Sequence, residues 1–276
     1  MSLFFRIQFR FYKMRILFIG DIFGNTGRRV LAQRLQSLIK ENSIDVCIAN
    51  GENAAGGRGL TSNIFKKLRK YGVHIVTGGN HSFSIPDNEY SFLDTPTVLR
   101  PLNYPPGNIG HGSTVFELGD GRTIGVINLQ GRTFVHEALD DPFRIGKSAI
   151  DQIKEQTSHI LVDFHAEATS EKMAFAQYVD GQVSAVLGTH THVQTADEKI
   201  LPGGTAFISD AGMTGPEDSV IGMKKEQVLR RFLLQTHVRF DPADKGPMIN
   251  GVIIETDDTT AKAVSIKRVF ERIIFQ

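Results

Sequence analysis

Short apolar runs alternate with amphipathic segments along the first third of the chain. Residues 15–20, 44–49 and 74–77 form near-continuous apolar runs of strand length. Between them, residues 27–41 place apolar side chains at helical spacing, and residues 61–70 form a second helical segment. Near-continuous apolar strands followed by helices are typical of a parallel sheet covered on both faces. The pattern therefore predicts an α/β fold.

The remainder of the chain continues this alternation less regularly. A turn at residues 119–122 predicts a hairpin between strands 114–118 and 123–129, and residues 130–145 have the pattern of a loop. Further strands are predicted at 159–164, 183–188 and 205–209, helices at 147–156, 170–178 and 224–234, and a last hairpin over 251–255 and 261–269. No repeat, low-complexity stretch or linker interrupts the pattern, which predicts one domain over residues 14–276.

The first 13 residues stand apart because they are aromatic and basic and precede the first clear strand. They lack the continuous apolar stretch and small-residue cleavage site of a signal peptide. We interpret residues 1–13 as an N-terminal extension. An amphipathic membrane-binding patch is the alternative interpretation.

Charge and cysteine content narrow the class of partner and the compartment. The chain carries 31 basic and 30 acidic residues, a formal net charge of +1, whereas nucleic-acid and membrane partners usually require a basic excess. A small phosphate ligand is compatible with this balance. The one cysteine, Cys47, lies in an apolar run and cannot form an internal disulfide, so a reducing cytoplasm is expected. No apolar run approaches the roughly 18 residues of a transmembrane helix.

Polar side chains follow five of the predicted strands, at the point where each strand ends. In open α/β sheets the carboxyl ends of the strands line the binding crevice. If these strands are parallel neighbours, eight side chains of metal-ligand type converge on one cleft: Asp21, Glu52, Asn53, Asn80, His81, His165, His190 and His192.

Carboxylate, amide and imidazole groups without thiolates suit Mn²⁺ or Fe, with Zn²⁺ as a further candidate. Eight such groups are too many for one ion and enough for two. Two ions about 3.5–4 Å apart can share a bridging carboxylate, lower the pKa of a shared water and stabilise an in-line displacement at phosphorus. The set therefore predicts a two-metal phosphoesterase.

Each group alone has an ordinary structural interpretation. Asp21 could be a turn residue or a helix cap, Glu52 and Asn53 could form a turn, and His165 could be a hydrogen-bonded core histidine. The pair His190 and His192 is harder to explain in this way, because alternate residues of an extended segment point to one side. Arg58, in a glycine-rich loop near Glu52, could either contact a phosphate or be solvated. Five other histidines are interpreted as ordinary residues without a role in the site: His74, His111, His136, His159 and His237.

These residues resemble the motif set of the calcineurin-like metallophosphoesterases. The resemblance rests on Gly-Asp at 20–21, Gly-Asn-His at 79–81 and Gly-Thr-His-Thr-His at 188–192. Within that superfamily the chain is most similar to the YmdB-type branch of bacterial phosphodiesterases, through residues 20–24, 50–53, 163–172 and 210–216. The resemblance covers essentially residue 14 to the end and implies a layered α/β sandwich of mostly parallel strands with helices on its outer faces.

The resemblance also implies a role for each site residue. Asp21, Asn53 and His192 would bind one metal, Asn80, His165 and His190 the other, and Glu52 would bridge them. His81 would be the catalytic histidine that protonates the leaving oxygen. The chain has Phe23 and Glu52 where the wider superfamily usually has histidine and aspartate. It also has Ser82, Phe83 and Ser84 where the superfamily often has an acid that orients the catalytic histidine.

By resemblance, the reaction is hydrolysis of a small phosphodiester, with 2′,3′-cyclic nucleotides as the leading substrate and attack by a metal-bound hydroxide. A phosphomonoesterase or nucleotidase with the same metals is one alternative. A regulatory nucleotide- or RNA-binding protein with mainly structural metals is another, although the near-neutral charge disfavours a stable nucleic-acid partner. Symmetric homo-oligomers are common, and the sequence leaves the oligomeric state open.

Overall fold

Two β-sheets pack face to face in the computed structural model, which describes residues 13–85 and 87–275. Residues 1–12, nearly all of the predicted N-terminal extension, lie outside the described residues. Lys13 is the first residue of a strand and pairs with Asp257. No helix among the described residues is long and apolar enough to cross a membrane.

The described residues form thirteen strands and five α-helices. A 3₁₀ helix spans Asp87–Asp94. In chain order the elements are β1 (Lys13–Ile19), β2 (Asp21–Ile22), α1 (Gly24–Glu41), β3 (Val46–Asn50), α2 (Ser62–Tyr71), β4 (Ile75–Thr77), β5 (Ser113–Glu117), β6 (Thr123–Gln130), α3 (Pro142–Ile153), β7 (Ile160–His165), α4 (Thr169–Tyr178), β8 (Ala185–Thr189), β9 (Lys199–Ile200), β10 (Ala206–Ile208), β11 (Met213–Pro216), α5 (Lys225–Leu234), β12 (Pro247–Asp257) and β13 (Ala263–Arg272).

Each sheet contains a block of parallel strands next to antiparallel ones. The first sheet has the order β2-β11-β12-β1-β3-β4, with β13 also paired to β12. In it β1, β3 and β4 are parallel to one another. The second sheet has the order β5-β6-β7-β8-β10-β9, with β6, β7, β8 and β10 parallel. The carboxyl ends of β1, β3 and β4 therefore share an edge of the first sheet, as those of β7 and β8 do in the second.

Three apolar layers hold the sheets and helices together. The central layer joins side chains of β1 and β3, such as Phe18 and Ile48, to Leu161 and Leu187 of the second sheet. An outer layer packs α1 and α2 against the first sheet, and a second outer layer packs α3 and α4 against the other. The predicted sandwich with helices on its outer faces is confirmed, and it contains two sheets.

Local physical causes explain where the elements depart from the sequence pattern. Helix α3 begins at Pro142, five residues before the predicted start, because the Asp141 carboxylate accepts hydrogen bonds from the N–H groups of Phe143 and Arg144. Strand β12 reaches back to Pro247, since it pairs with three neighbouring strands. The short strands β2, β9 and β11 carry too few residues for a periodic signal.

Candidate metal centre and active site

All eight predicted site residues meet at the edge where the carboxyl ends of the two sheets adjoin. The first sheet contributes Asp21 after β1, Glu52 and Asn53 after β3, and Asn80 and His81 after β4. The second sheet contributes His165 at the end of β7 and both His190 and His192 after β8. From the sequence, these strands were considered as parallel neighbours. In the structure they are divided between two sheets, and the site spans the junction between the sheets.

One cluster forms around Asp21, which is fully buried. Its Oδ2 accepts a hydrogen bond from the His190 N–H at 3.2 Å, and its Oδ1 lies 3.9 Å from Nε2 of His192. This Oδ1 atom is buried and has no hydrogen-bond partner among the described residues. Burial raises the pKa of Asp21. A buried carboxylate oxygen without a donor beside an imidazole nitrogen is the arrangement that a cation satisfies.

A second cluster forms around His165, which is also buried. Its Nε2 lies 3.0 Å from Oδ1 of Asn80, 3.1 Å from Nδ1 of His190 and 3.2 Å from Oε1 of Glu52. The ligand atoms of Glu52, His165 and His190 all lie within 4.8 Å of one another, so these three residues could hold one metal ion.

Glu52 connects the two clusters. Its Oε1 faces His165 on one side and accepts a hydrogen bond from Nδ2 of Asn53 at 2.9 Å on the other. Asn53 Nδ2 in turn lies 3.1 Å from Nε2 of His192. Burial acts to raise the pKa of Glu52, but the nearby His165 and His81 hold it well below its ordinary value. Glu52 is therefore an ionised carboxylate between two sets of ligand-type groups.

The electrostatics of the cluster require positive charge. Burial acts to lower the pKa of His165, yet Glu52, Asp21 and Asp163 together raise it to about 9. Burial and the neighbouring His165 lower the pKa of His190 to about 3. Without a cation, a proton on His165 offsets the buried carboxylates, and divalent ions would supply that charge instead. The donor set therefore fits divalent metal ions.

A buried hydroxyl fixes which nitrogen of His165 faces the cluster. Thr189 Oγ1 lies 2.9 Å from Nδ1 of His165, and it donates to Oδ1 of Asp163 at 2.7 Å. Because a hydroxyl has one hydrogen, Thr189 must accept from His165 Nδ1–H. The Nε2 lone pair then points at Glu52, Asn80 and His190, as a metal ligand requires. Asp163 also accepts a hydrogen bond from Asn50 Nδ2 at 3.0 Å, and this bond links the series of hydrogen bonds behind His165 to the first sheet.

The segment that carries His190 and His192 is not extended. Both residues adopt positive φ angles, 100° and 68°, which non-glycine residues rarely do. The expected extended segment, with both histidines on one side, is therefore wrong. The left-handed backbone instead turns His190 towards His165 and His192 towards Asp21 and Asn53.

A buried ion pair holds this strained segment in place. Asp210 accepts hydrogen bonds from both the backbone N–H and the hydroxyl of Thr191, at 3.0 and 2.7 Å. Lys172 Nζ lies 2.9 Å from the same carboxylate, and both side chains are 1% exposed. The strain is offset by these contacts, as is common at functional sites.

Asn53 also orients His81. Its Oδ1 lies 2.8 Å from Nδ1 of His81, while its Nδ2 faces Glu52 and His192. Only the oxygen of an amide binds a metal, so the predicted role of Asn53 as a ligand requires its amide to turn over. The acid that often orients the catalytic histidine in the wider superfamily is thus replaced here by an amide.

The clusters open into a cleft of about 450 Å³. Its lining includes the polar side chains of Glu52, Asn53, His81, His190 and His192. Arg58 also lines the cleft, and among the side chains that the structure describes it forms no ion pair. An apolar part of the lining consists of Val220, Ile221, Met223, Val228, Phe232 and Phe240.

The structure separates the site histidines from those interpreted as ordinary. His74 Nδ1 accepts from the Cys47 N–H, and His159 contacts Thr256 and Asp258 at the far edge of the sheets. Sequence reasoning assigned no role to several residues that support or line the site. The only sequence signal for these residues was their position in the motifs described above: Asp163, Glu167, Lys172, Thr189 and Asp210. The apolar residues that line the cleft had no sequence signal.

Comparison with known proteins identifies relatives of this chain in sequence and in fold. A family model described as YmdB-like protein matches residues 17–269. The chain is 46% identical to a Bacillus subtilis protein named 2′,3′-cyclic-nucleotide 2′-phosphodiesterase, over 93% of this chain and 96% of the relative. It resembles a solved hypothetical protein from Thermus thermophilus (TM-score 0.87, 41% identity, 94% and 99% coverage) and a solved novel phosphatase from Mycoplasma pneumoniae (TM-score 0.89, 35% identity, 95% and 94% coverage).

Proposed function

The chain belongs to the YmdB-like protein family and is a phosphoesterase, and we propose that it hydrolyses 2′,3′-cyclic nucleotides with the help of two divalent metal ions. The observation that carries the proposal is the position of Glu52 between two ligand clusters, one of which contains a buried carboxylate oxygen without a donor. The B. subtilis relative's name supplies the substrate class.

We assign Asp21, Asn53 and His192 to one ion, and Asn80, His165 and His190 to the other, with Glu52 shared. The oxygen and nitrogen donors suit Mn²⁺ or Fe, with Zn²⁺ as a further candidate. Ions bound there would neutralise phosphoryl charge and lower the pKa of a water molecule.

His81 delivers the proton in this proposal. It lines the cleft beside Glu52, whose Oε2 accepts from the His81 N–H at 3.1 Å. If the Asn53 amide were turned over so that its oxygen could hold a metal, its NH₂ group would face Nδ1 of His81 and donate to it. The imidazole proton then lies on Nε2, from which it can pass to the O2′ leaving oxygen as the P–O2′ bond breaks. Water adds to phosphorus, and the product is a nucleoside 3′-phosphate.

We propose that Arg58 binds the phosphate. It is an exposed guanidinium on the wall of the cleft, in a loop where Gly57 and Gly59 adopt positive φ angles of 94° and 74°. An arginine can donate two parallel hydrogen bonds to phosphoryl oxygens. Arg58→Ala should raise KM for the cyclic nucleotide more than it lowers kcat.

The test is hydrolysis of 2′,3′-cyclic AMP by protein reconstituted with Mn²⁺. Glu52→Ala and an excess of chelator should each abolish turnover. His81→Ala should retain both metals, measured by elemental analysis, and lose about 10²–10⁴-fold in kcat. Wild-type turnover by His81→Ala would exclude its role as the acid, and turnover in excess chelator would exclude metal dependence.

A phosphomonoesterase with the same metals is the second candidate, because the M. pneumoniae neighbour is named a phosphatase. Parallel assays with adenosine 3′-phosphate separate the two candidates. A phosphodiesterase leaves this product intact, whereas a monoesterase releases inorganic phosphate from it faster than it opens the cyclic ester.

The remaining parts of the proposal rest on the sequence. We propose a single domain over residues 14–276 and a small diester as the partner, without a stable nucleic-acid partner, since the net charge is +1. Cys47 is buried as a free thiol, which agrees with a cytoplasmic location.

A further inference from the structure

The cleft is larger and more apolar than a phosphoryl group needs. Its volume of about 450 Å³ falls in the range of small-molecule sites, roughly 300–1,000 Å³. The predicted metal-ligand residues account for only part of its lining. Another part, which we call the apolar wall, consists of Val220, Ile221, Met223, Val228, Phe232 and Phe240.

The apolar wall leaves large side chains open to water. Phe232 is 71% exposed, Ile221 55% and Phe240 39%. Val228 and Phe232 lie four residues apart on α5 and therefore share the face of the helix that lines the cleft. Grouped apolar side chains that remain exposed beside a catalytic centre are typical of a ligand site.

The backbone links this wall to the metal centre. Ile221 adopts φ 46°, which is unusual for a β-branched residue, and its carbonyl accepts a hydrogen bond from His192 Nδ1 at 2.9 Å. One strained residue therefore orients a predicted metal ligand and directs an apolar side chain into the cleft.

Few polar groups are available along this wall. Val220 and Met223 exchange both of their backbone hydrogen bonds, and the carbonyl of Gly222 accepts from the Ala243 N–H. The six side chains of the wall have no hydrogen-bonding group except the weak acceptor of Met223. The surface can hold a flat apolar ring but has little with which to distinguish one ring's edge from another's.

We propose that the apolar wall is the nucleobase subsite, and that it binds any base by stacking on Phe232 and Phe240. The inference rests on the proposed function, because a phosphate bound beside the predicted metal ligands determines where the base of the same molecule can reach. Stacking tolerates all bases, since each has a π face. The wall lies within the catalytic cleft, which favours a substrate group over a second copy of the chain.

The test compares Phe232→Ala, Phe240→Ala and the double variant with wild type on two substrates. One is 2′,3′-cyclic AMP, and the other is methyl ribofuranoside 2,3-cyclic phosphate, which lacks a base. The ratio of their kcat/KM values should fall about 5- to 100-fold, the range expected for loss of an aromatic stacking partner. Phe232→Tyr should restore the ratio, because the ring is retained.

The matched control is Leu233→Ala. Leu233 is the next residue of α5 and is 78% exposed, but it does not line the cleft. It should leave the ratio at the wild-type value. In wild type, kcat/KM for the four cyclic nucleotides should agree within about tenfold.

Three outcomes would overturn the inference. An unchanged ratio in the double variant would remove the base subsite and leave the phosphodiesterase intact. A more than 100-fold preference for one base would contradict recognition by stacking alone. A wild-type dimer in sedimentation that Phe232→Ala dissociates would make the wall a subunit interface.

A binding measurement decides the inference even if wild type hydrolyses neither substrate and the proposed function fails. Calorimetric titration with adenosine 3′-phosphate should then show the same loss of affinity in Phe232→Ala, with inorganic phosphate binding both proteins equally. Equal affinity for adenosine 3′-phosphate would reject the subsite.

Discussion

Thr189→Val tests whether the buried hydroxyl behind His165 prepares this histidine as a metal ligand. Valine has nearly the shape of threonine, so the packing of β8 is retained while two hydrogen bonds are lost. These are the 2.9 Å contact with His165 Nδ1 and the 2.7 Å bond to Asp163 Oδ1. The imidazole is then free to adopt either tautomer, and only one directs a lone pair from Nε2 at Glu52, Asn80 and His190, where an ion would bind.

Two magnitudes follow from this loss. Each buried group left without a partner costs about 1–3 kcal/mol, so the metal-free protein should lose about 2–6 kcal/mol of unfolding free energy. Removing a hydrogen-bond partner of a metal-bound histidine typically weakens metal affinity about 10- to 100-fold. We expect a decrease of that size in Mn²⁺ affinity, measured by competition with a fluorescent chelator.

Thr205→Val is the matched control because Thr205 is fully buried and its hydroxyl also makes two hydrogen bonds, to the Gly181 N–H and the Val183 carbonyl, both at 2.9 Å. It lies beside the opposite end of β8. Thr205→Val should destabilise the protein without changing Mn²⁺ affinity, and Thr189→Ser should restore the affinity. If Thr189→Val binds Mn²⁺ as tightly as Thr205→Val, the hydroxyl does not orient His165.

Three further predictions address stability and the shape of the site. Lys172→Met leaves the buried Asp210 carboxylate without its ion pair and should lower the unfolding free energy, measured in urea, by about 3–5 kcal/mol. Lys147→Met, in an exposed pair with Asp151, should lower it by less than about 1 kcal/mol. Equal losses would show that burial does not increase the contribution of the ion pair. Gly79→Ala would place a Cβ 2.2 Å from Glu52 Oε2 and 2.4 Å from the His165 ring, and it should abolish metal binding measured by calorimetry, so retention of both ions would contradict the geometry. Burial lowers the pKa of His159 below its ordinary value of 6.5, so its contribution to stability is present above pH 6.5 and lost as pH falls through the lower folded-state pKa. The difference in unfolding free energy between wild type and His159→Gln should therefore shrink from pH 7.5 to 5.5. A constant difference would refute this prediction.

The candidate site residues could be predicted because each follows the end of a strand, and the apolar run of the strand shows in the sequence where that end lies. Apolar runs before Asp21, Glu52 and His165 identified the strands, and the carboxyl ends of parallel strands form binding edges in many α/β folds. The division into two sheets was not predictable in this way. A strand buried on both faces has the same apolar pattern whether its outer neighbour is a helix or a second sheet.

The contacts that support the site could not be predicted from the sequence for a different reason. Asp210 and Lys172 are 38 positions apart, and nothing in either local pattern indicates that they pair. The same holds for Phe232 and Ile221, whose roles depend on how α5 and the preceding loop fold over the cleft. Local periodicity reports burial, whereas these roles arise from contacts between distant segments.

The division of the ligands between two sheets explains why the polar layer beneath the site is so fully hydrogen-bonded. Asn50 and Thr77 of the first sheet both donate to Asp163 of the second, and Gly78 N–H donates to Oδ1 of Asn128 at 3.0 Å. A shift of one sheet against the other would break these bonds and separate Glu52 from His165. The cross-sheet layer thus fixes the distance between the two halves of the centre before any ion binds. In this arrangement the sandwich is part of the candidate site, because the predicted site residues come from both sheets.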